Sequence, residues 1–368
     1  MKYGLIVHFK TRNIGDDIQC YVMEKFLPRV DYLIDREHLD SFYTSTGEQV
    51  AAFLGGWYLQ SPLNWPPSPF LKLFPTSIHF TNKGGKGMFI LKDYGATWLK
   101  QIAPIGCRDE GTAELLKSFG IKAYVSGCFT LAIEPFADVE KHEKIVLVDC
   151  SKEVFDFVKA NTKKKIVVAS HRYAIDKLSP EVVAFAEEHD AKDVIATSHE
   201  PAQPDEPHEL VYHKGSWSYR RALMEGLLRF YQGASLVVTK RLHVALPCLA
   251  MGTPVLMING EDKSMHYKFS TYTPYVNHTT QKDLLSKKYS FDFDNPAPNP
   301  GGHEKFSEKI KRACKEFITY CENYSDEPKI DLELWRDYYR RVLRLKRIMQ
   351  TLLPSAYLPN LNLLNQEV

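Results

Sequence analysis

An α/β fold with parallel sheets is predicted for this chain by three observations. Short apolar runs alternate with helical patterns along most of its length, the signature of helices covering a parallel sheet. Residues 233–263 read as strand, basic turn, helix and strand: Leu236-Val237-Val238-Thr239, then Lys240-Arg241-Leu242-His243, an apolar run to Met251, Gly252-Thr253-Pro254, and Val255-Leu256-Met257-Ile258. Gly252 suits a helix C-terminus and Pro254 forbids continuation, so this stretch is half of a βαβ unit. Finally, 368 residues with 44% hydrophobic content can bury two cores, which favours two domains.

In chain order, residues 3–9 form a first buried strand, followed by the turn Thr11-Arg12-Asn13-Ile14-Gly15-Asp16-Asp17 and a helix from about Ile18. One of Asp16 and Asp17 suffices as a cap; the spare carboxylate, at a strand's carboxyl end, could bind or deprotonate a sugar hydroxyl. Residues 32–35 and 50–54 are further strands, the latter ending in Gly55-Gly56-Trp57. Paired glycines permit close approach of a backbone or ligand, and Trp57 either stacks on a sugar face or packs. Residues 61–75, rich in proline and aromatics, read as an irregular segment lining a cleft. Residues 104–107 are a strand, and Arg108-Asp109-Glu110 opens a helix closed by Gly120. Arg108 is either an anion ligand at a strand's carboxyl end or the partner of Asp109. Residues 121–125 form another strand, with Ser126-Gly127-Cys128-Phe129 as a turn.

Charged residues 140–144 suggest a linker and a domain boundary near Asp138. Beyond it, residues 145–149, 166–170, 194–197 and 210–212 are strands, with helical patterns over 152–160, 180–188 and 217–231. His171 and His199 follow strand ends and read as polar turn residues. Ligands of parallel sheets bind outside the strands' carboxyl ends, where helix amino ends attract anions, so Arg241 and His243 mark an anion site. Lys263 follows the next strand. Residues 331–353 form a terminal helix with Leu334, Tyr338, Val342, Leu345 and Ile348 on one face and arginines opposite. Packing across the domains accounts for it better than lipid binding.

The 47 Lys and Arg nearly cancel the 45 Asp and Glu, which argues against nucleic acid as a partner. Seven cysteines lie scattered without a Cys-x-x-Cys pair and read as reduced, mostly buried thiols. The first apolar run is too short for a signal peptide, and no stretch approaches membrane-spanning length, so a cytoplasmic location is expected.

Taken together, Asn13-Ile14-Gly15-Asp16-Asp17, Arg108-Asp109-Glu110, Ser126-Gly127-Cys128, Arg241-Leu242-His243 and Gly252-Thr253-Pro254 resemble the polysaccharide pyruvyl transferase family over about residues 3–270. Lys240 stands where the family commonly has Ser, and Phe129 where it has Pro. The resemblance implies two Rossmann-like domains in a GT-B-like arrangement with a cleft between them: residues 1–138 on the acceptor-sugar side, 139–325 on the donor side, and 326–368 as a C-terminal helix and tail. It also implies transfer of the pyruvyl group of phosphoenolpyruvate to two hydroxyls of a sugar, forming a cyclic ketal in a surface polysaccharide or its lipid-linked precursor. Arg108, Arg241 and Lys263 would bind the donor, and His243 would act as general acid. Asp17 is the second catalytic candidate, and Asn13, Asp16, Gly55, Gly56 and Trp57 the acceptor-binding set. No metal or cofactor is called for. The alternatives are a nucleotide-sugar glycosyltransferase of the same fold and a noncatalytic carbohydrate-binding protein.

Overall fold

The structure, a computed structural model, describes residues 1–8, 11, 13–58, 65–80, 91, 94–172, 178–190, 196–197, 217–259, 269–323 and 329–352. The expected strand at 210–212 and the residues His199, Lys263 and His266 lie outside them.

Two parallel sheets organise the chain. The first comprises β1 (Lys2–Val7), β2 (Tyr32–Asp35), β3 (Val50–Tyr58), β4 (Leu71–Phe80), β5 (Ile105–Cys107) and β6 (Ala123–Val125). The second holds β7 (His142–Val148), β8 (Lys165–Ala169), β10 (Ala234–Thr239), β11 (Val255–Asn259) and β12 (Asn277–Thr280). Their orders are β6-β5-β4-β3-β1-β2-β9 and β12-β11-β10-β7-β8, where β9 (Ala196–Thr197) pairs in parallel with β2. Apart from β9, the strands before and after Asp138 therefore sort into different sheets. Two segments cross the expected boundary: β9, and a helix from Glu304–Asn323 that returns to the first sheet.

The principal helices are α1 (Ile14–Glu24), α2 (Tyr94–Gln101), α3 (Glu110–Ser118), α4 (Lys152–Ala160), α5 (Pro180–Glu188), α6 (Trp217–Gly233), α7 (Leu242–Ala250), α8 (Gln281–Leu285), α9 (Glu304–Asn323) and α10 (Leu332–Leu352). One continuous buried cluster joins Leu5 and Val7 of β1, Ile14 and Ile18 of α1, Val146 and Val148 of β7, Leu223 and Leu227 of α6, and Val244 of α7. Each such side chain contributes about 1.5–3 kcal/mol on burial, so this shared layer holds the two sheets together. The outer faces have cores of their own, Ile6, Val50 and Leu116 on the first sheet and Ile145, Leu147 and Leu236 on the second.

Several expectations are corrected. Helix α1 begins at Ile14 rather than Ile18, because the Asn13 side chain accepts from the Gly15 amide at 3.2 Å and caps it. Strand β3 runs to Tyr58, so Gly55-Gly56-Trp57 is strand and not turn; β4 begins at Leu71, inside the segment read as irregular. Pro66, Pro67, Pro69, Trp98 and Tyr338 line a cavity of about 370 Å³ beside Leu71, at the amino end of β4 and away from the strands' carboxyl ends. Helix α10 buries Trp335, stacked between Tyr43 (5.5 Å) and Tyr339 (5.3 Å). Leu334, Tyr338 and Leu345, expected on its packed face, are exposed. Helix α9 stacks Phe317 on Phe74 at 5.1 Å. The seven cysteines form no disulfide and all but Cys150 are buried.

Candidate active site

Parallel register brings the carboxyl ends of β7, β8 and β10 side by side, because Val148 pairs with both Ala169 and Thr239. The residues just past those ends are Asp149, Ser170-His171 and Arg241. Asp149 adopts a left-handed φ of 51°, which Asp tolerates better than most residues. Its carboxylate accepts from Arg241 Nε at 2.7 Å and from Ser170 Oγ at 3.2 Å. Burial raises its pKa, but the Arg241 charge and the hydrogen bonds from Arg241 and the His171 backbone outweigh this and hold it below the ordinary carboxylate range. Arg241 is thus held at Nε, half-buried, at the N-cap of α7, and its side chain forms no capping bond to the helix. That helix end retains its affinity for an anion.

The amino end of α1 closes this corner from the first half. The Ile14 amide donates to the His171 carbonyl at 3.2 Å, and Asn13 forms an antiparallel bridge with Arg172. A Cβ on Gly15 would lie 2.7 Å from His243 Nδ1, 2.8 Å from His243 Cβ and 3.1 Å from His171 Nε2. Only glycine permits α1 to approach both histidines. His171 is 1% exposed, and among the described residues neither ring nitrogen has a hydrogen-bond partner. Burial first, and the Arg241 charge second, push its pKa down to about 3 against the opposing pull of Asp149, so the imidazole is neutral.

Asp17 is fully buried, and both its oxygens accept from Arg220 of α6, at 2.6 and 2.8 Å. The expected catalytic carboxylate is instead half of a bidentate strut between α1 and α6; with Asn13 as the cap, its charge is free to pair at depth. Asp16 accepts from Thr11 Oγ at 2.6 Å and lies 3.7 Å from Arg36. Gly55 has a packing role, since a Cβ there would meet the Phe129 ring at 2.8 Å; Gly56 has φ 102°, which other residues rarely adopt. Trp57 is half-buried on β3, and its Nε1 has no hydrogen-bond partner among the described residues.

Arg108 sits in a different ion network. It is 4% exposed, with Nε 3.3 Å from Asp109 Oδ2, and the same oxygen takes His79 Nδ1 at 2.7 Å. Asp109 also caps α3 through the Thr112 amide at 2.9 Å. Burial would raise its pKa, but His79, Arg108 and the Thr112 amide together pull it down to about 2. Tyr272 donates its hydroxyl to the Arg108 carbonyl, docking this corner onto the second half. Of the two readings of Arg108, these contacts favour the partner of Asp109. The assembled group is therefore Asn13, Gly15 and Asp16 with Asp149, His171, Arg241 and His243. The sequence does not single out Asp149, and His171 reads in it as a polar turn residue. Among the described residues no group of His, Cys, Asp and Glu could hold a metal.

No curated protein matches the chain. Among solved structures, a functionally uncharacterised Klebsiella pneumoniae protein matches at 13% identity and TM-score 0.40, covering 76% of this chain and 93% of that one. The polysaccharide pyruvyl transferase family model matches residues 13–262, from the Asn13 cap of α1 past Arg241, His243 and β11. The span includes every residue of the assembled corner, and the chain belongs to the polysaccharide pyruvyl transferase family.

Proposed function

We propose that the protein transfers the pyruvyl group of phosphoenolpyruvate onto two hydroxyls of a sugar in a polysaccharide or its lipid-linked precursor, forming a cyclic ketal and releasing phosphate. The observation that carries this reading is the corner where Asp149 orients Arg241 beside the amino end of α7 and Gly15 admits His243 and His171. Arg241 offers its Nη fork to a donor carboxylate or phosphate, and Lys263 supplies a second cation. His243 protonates the methylene carbon; a sugar hydroxyl attacks the resulting oxocarbenium-like carbon and loses its proton. The second hydroxyl displaces phosphate, which carries the remaining proton away. The first-half residues Asn13, Asp16, Gly56 and Trp57 face the acceptor in a GT-B-like cleft, whereas Asp17 and Arg108 support the fold.

A phosphoenolpyruvate donor would suit a cytoplasmic reaction; no described helix is long and apolar enough to cross a membrane. Exposed Leu334 and Leu345 beside Arg341 and Arg344 on α10 suit an anionic lipid surface, a part of the reading that co-sedimentation with anionic vesicles tests.

Calorimetric titration with phosphoenolpyruvate tests the donor site. Arg241→Lys keeps the charge but loses the fork and is expected to weaken binding about tenfold or more. His243→Gln should bind nearly normally and turn over roughly a hundredfold more slowly. Unchanged titration by Arg241→Lys, or full turnover by a folded His243→Gln protein, contradicts the assignment.

A further inference from the structure

The carboxyl ends of β1, β2 and β3, adjacent in the first sheet, enclose another group of buried polar side chains to which the roles above assign nothing. Arg36 follows β2 and is 8% exposed; its Nε donates to Glu37 at 3.1 Å, and its Nη1 lies 3.7 Å from Asp16. His8 follows β1, with Nε2 3.5 Å from the same Glu37 oxygen. Gln19 donates to the Gly15 carbonyl at 3.3 Å, and its Oε1 is the atom that a Cβ on Gly56 would face, at 3.9 Å. Arg36 Nη2, His8 Nδ1 and Gln19 Oε1 are all buried and, among the described residues, have no hydrogen-bond partner. Burying polar atoms in that condition is destabilising, and a corner that collects three of them is the complement of a ligand with donors and acceptors of its own.

The charge of the corner selects the ligand class. Asp16 and Glu37 face Arg36, Asp35 faces Glu37 and Asp17 pairs with Arg220, while burial first, and the Arg36 and Arg220 charges next, push the His8 pKa down to about 2 and keep it neutral. Arg220 also reaches the corner, donating to the His8 carbonyl at 3.1 Å, so four carboxylates stand against two guanidiniums; this disfavours an anion, and the remaining donor and acceptor atoms suit hydroxyl groups. We infer that this corner holds one uncharged pyranose ring of the acceptor. Arg36 Nη2 donates to a ring substituent, Gln19 Oε1 accepts from a hydroxyl, and His8 Nδ1 completes the set. The inference rests on the reading that the first half receives the acceptor, and it makes Arg36, Gln19 and His8 specificity residues rather than catalytic ones.

Saturation-transfer NMR on the full chain without donor tests it, with methyl β-D-galactopyranoside, methyl β-D-glucopyranoside, methyl α-D-mannopyranoside and methyl β-D-glucuronide as probes. At least one neutral glycoside should bind, and the glucuronide at least tenfold more weakly than the best of them. Gln19→Met replaces an acceptor by a side chain of similar length; it should weaken neutral-sugar binding at least fivefold while the melting temperature holds or rises. Arg36→Lys, which keeps the charge, is the second variant and should weaken the same probe. Binding of the glucuronide equal to that of the neutral sugars, no binding of any neutral probe, or unaltered binding in both variants overturns the inference. Phosphoenolpyruvate titration of the same wild-type sample separates the two readings. Donor binding without sugar binding removes the corner alone, and sugar binding without donor binding removes the pyruvyl-transfer reading alone.

Discussion

At the scale of single residues, the least conspicuous member of the Asn-Ile-Gly-Asp-Asp segment sets the geometry. Gly15 lacks the Cβ that would strike His243 Nδ1 at 2.7 Å. Gly15→Ala is expected to destabilise the protein by about 1–3 kcal/mol through overpacking and to depress turnover more than donor affinity. A fully active, equally stable variant would show that the two histidines can move aside. Arg241 and His243 were legible in the sequence because a basic turn after an apolar strand has few structural uses. His171 and Asp149 were not, because a polar residue after a strand is ordinary until register sets it beside a charge. His171 also has a signature in pH. Its pKa is about 6.5 in the unfolded chain and about 3 in the fold, so between those values the unfolded state binds the extra proton. Its contribution to stability is complete above pH 6.5 and is lost as pH falls toward 3, with a limiting slope of about 1.4 kcal/mol per pH unit. Urea unfolding at pH 7.5 and 5.0 should show a smaller difference for His171→Gln than for the wild type. Equal differences would mean that the imidazole ionises freely in the fold.

Helices and strands supply partners that lie far from a side chain in sequence. Adjacent carboxylates after a first strand looked like a cap and a spare, but the cap is Asn13, and Asp17 turns inward to Arg220, 203 positions away. No local pattern announces a partner at that separation. Removing one member of a buried pair leaves an uncompensated charge, so Asp17→Asn should cost about 3–5 kcal/mol of stability. Adding Arg220→Met should restore part of it. A lowered melting temperature with normal turnover below it is the expected result; loss of turnover at unchanged melting temperature would return Asp17 to the chemistry. The terminal helix teaches the same lesson about faces. Its period was plain, but Trp335 and Tyr339 rather than the Leu334 and Leu345 stripe carry the packing, because Tyr43 and Phe70 provide aromatic surfaces for them.

For the whole molecule, alternation of apolar runs and helical patterns sufficed to predict parallel sheets flanked by helices. It could not reveal that β9 joins the first sheet or that α9 packs on Phe53 and Phe74, since both depend on chain return over long separations. Nor could it reveal the shared helical core that fixes α1 against α6 and α7 and so sets His243 and His171 beside Gly15. This junction is proposed to join a phosphoenolpyruvate site to a sugar site. The direct measurement is proton and phosphorus NMR of the purified protein with phosphoenolpyruvate and saccharide acceptors. The expected result is inorganic phosphate release that requires the saccharide, together with a new methyl singlet from a cyclic pyruvate ketal. Consumption of a nucleotide sugar in place of phosphoenolpyruvate, or phosphate release with no ketal methyl signal, would contradict it.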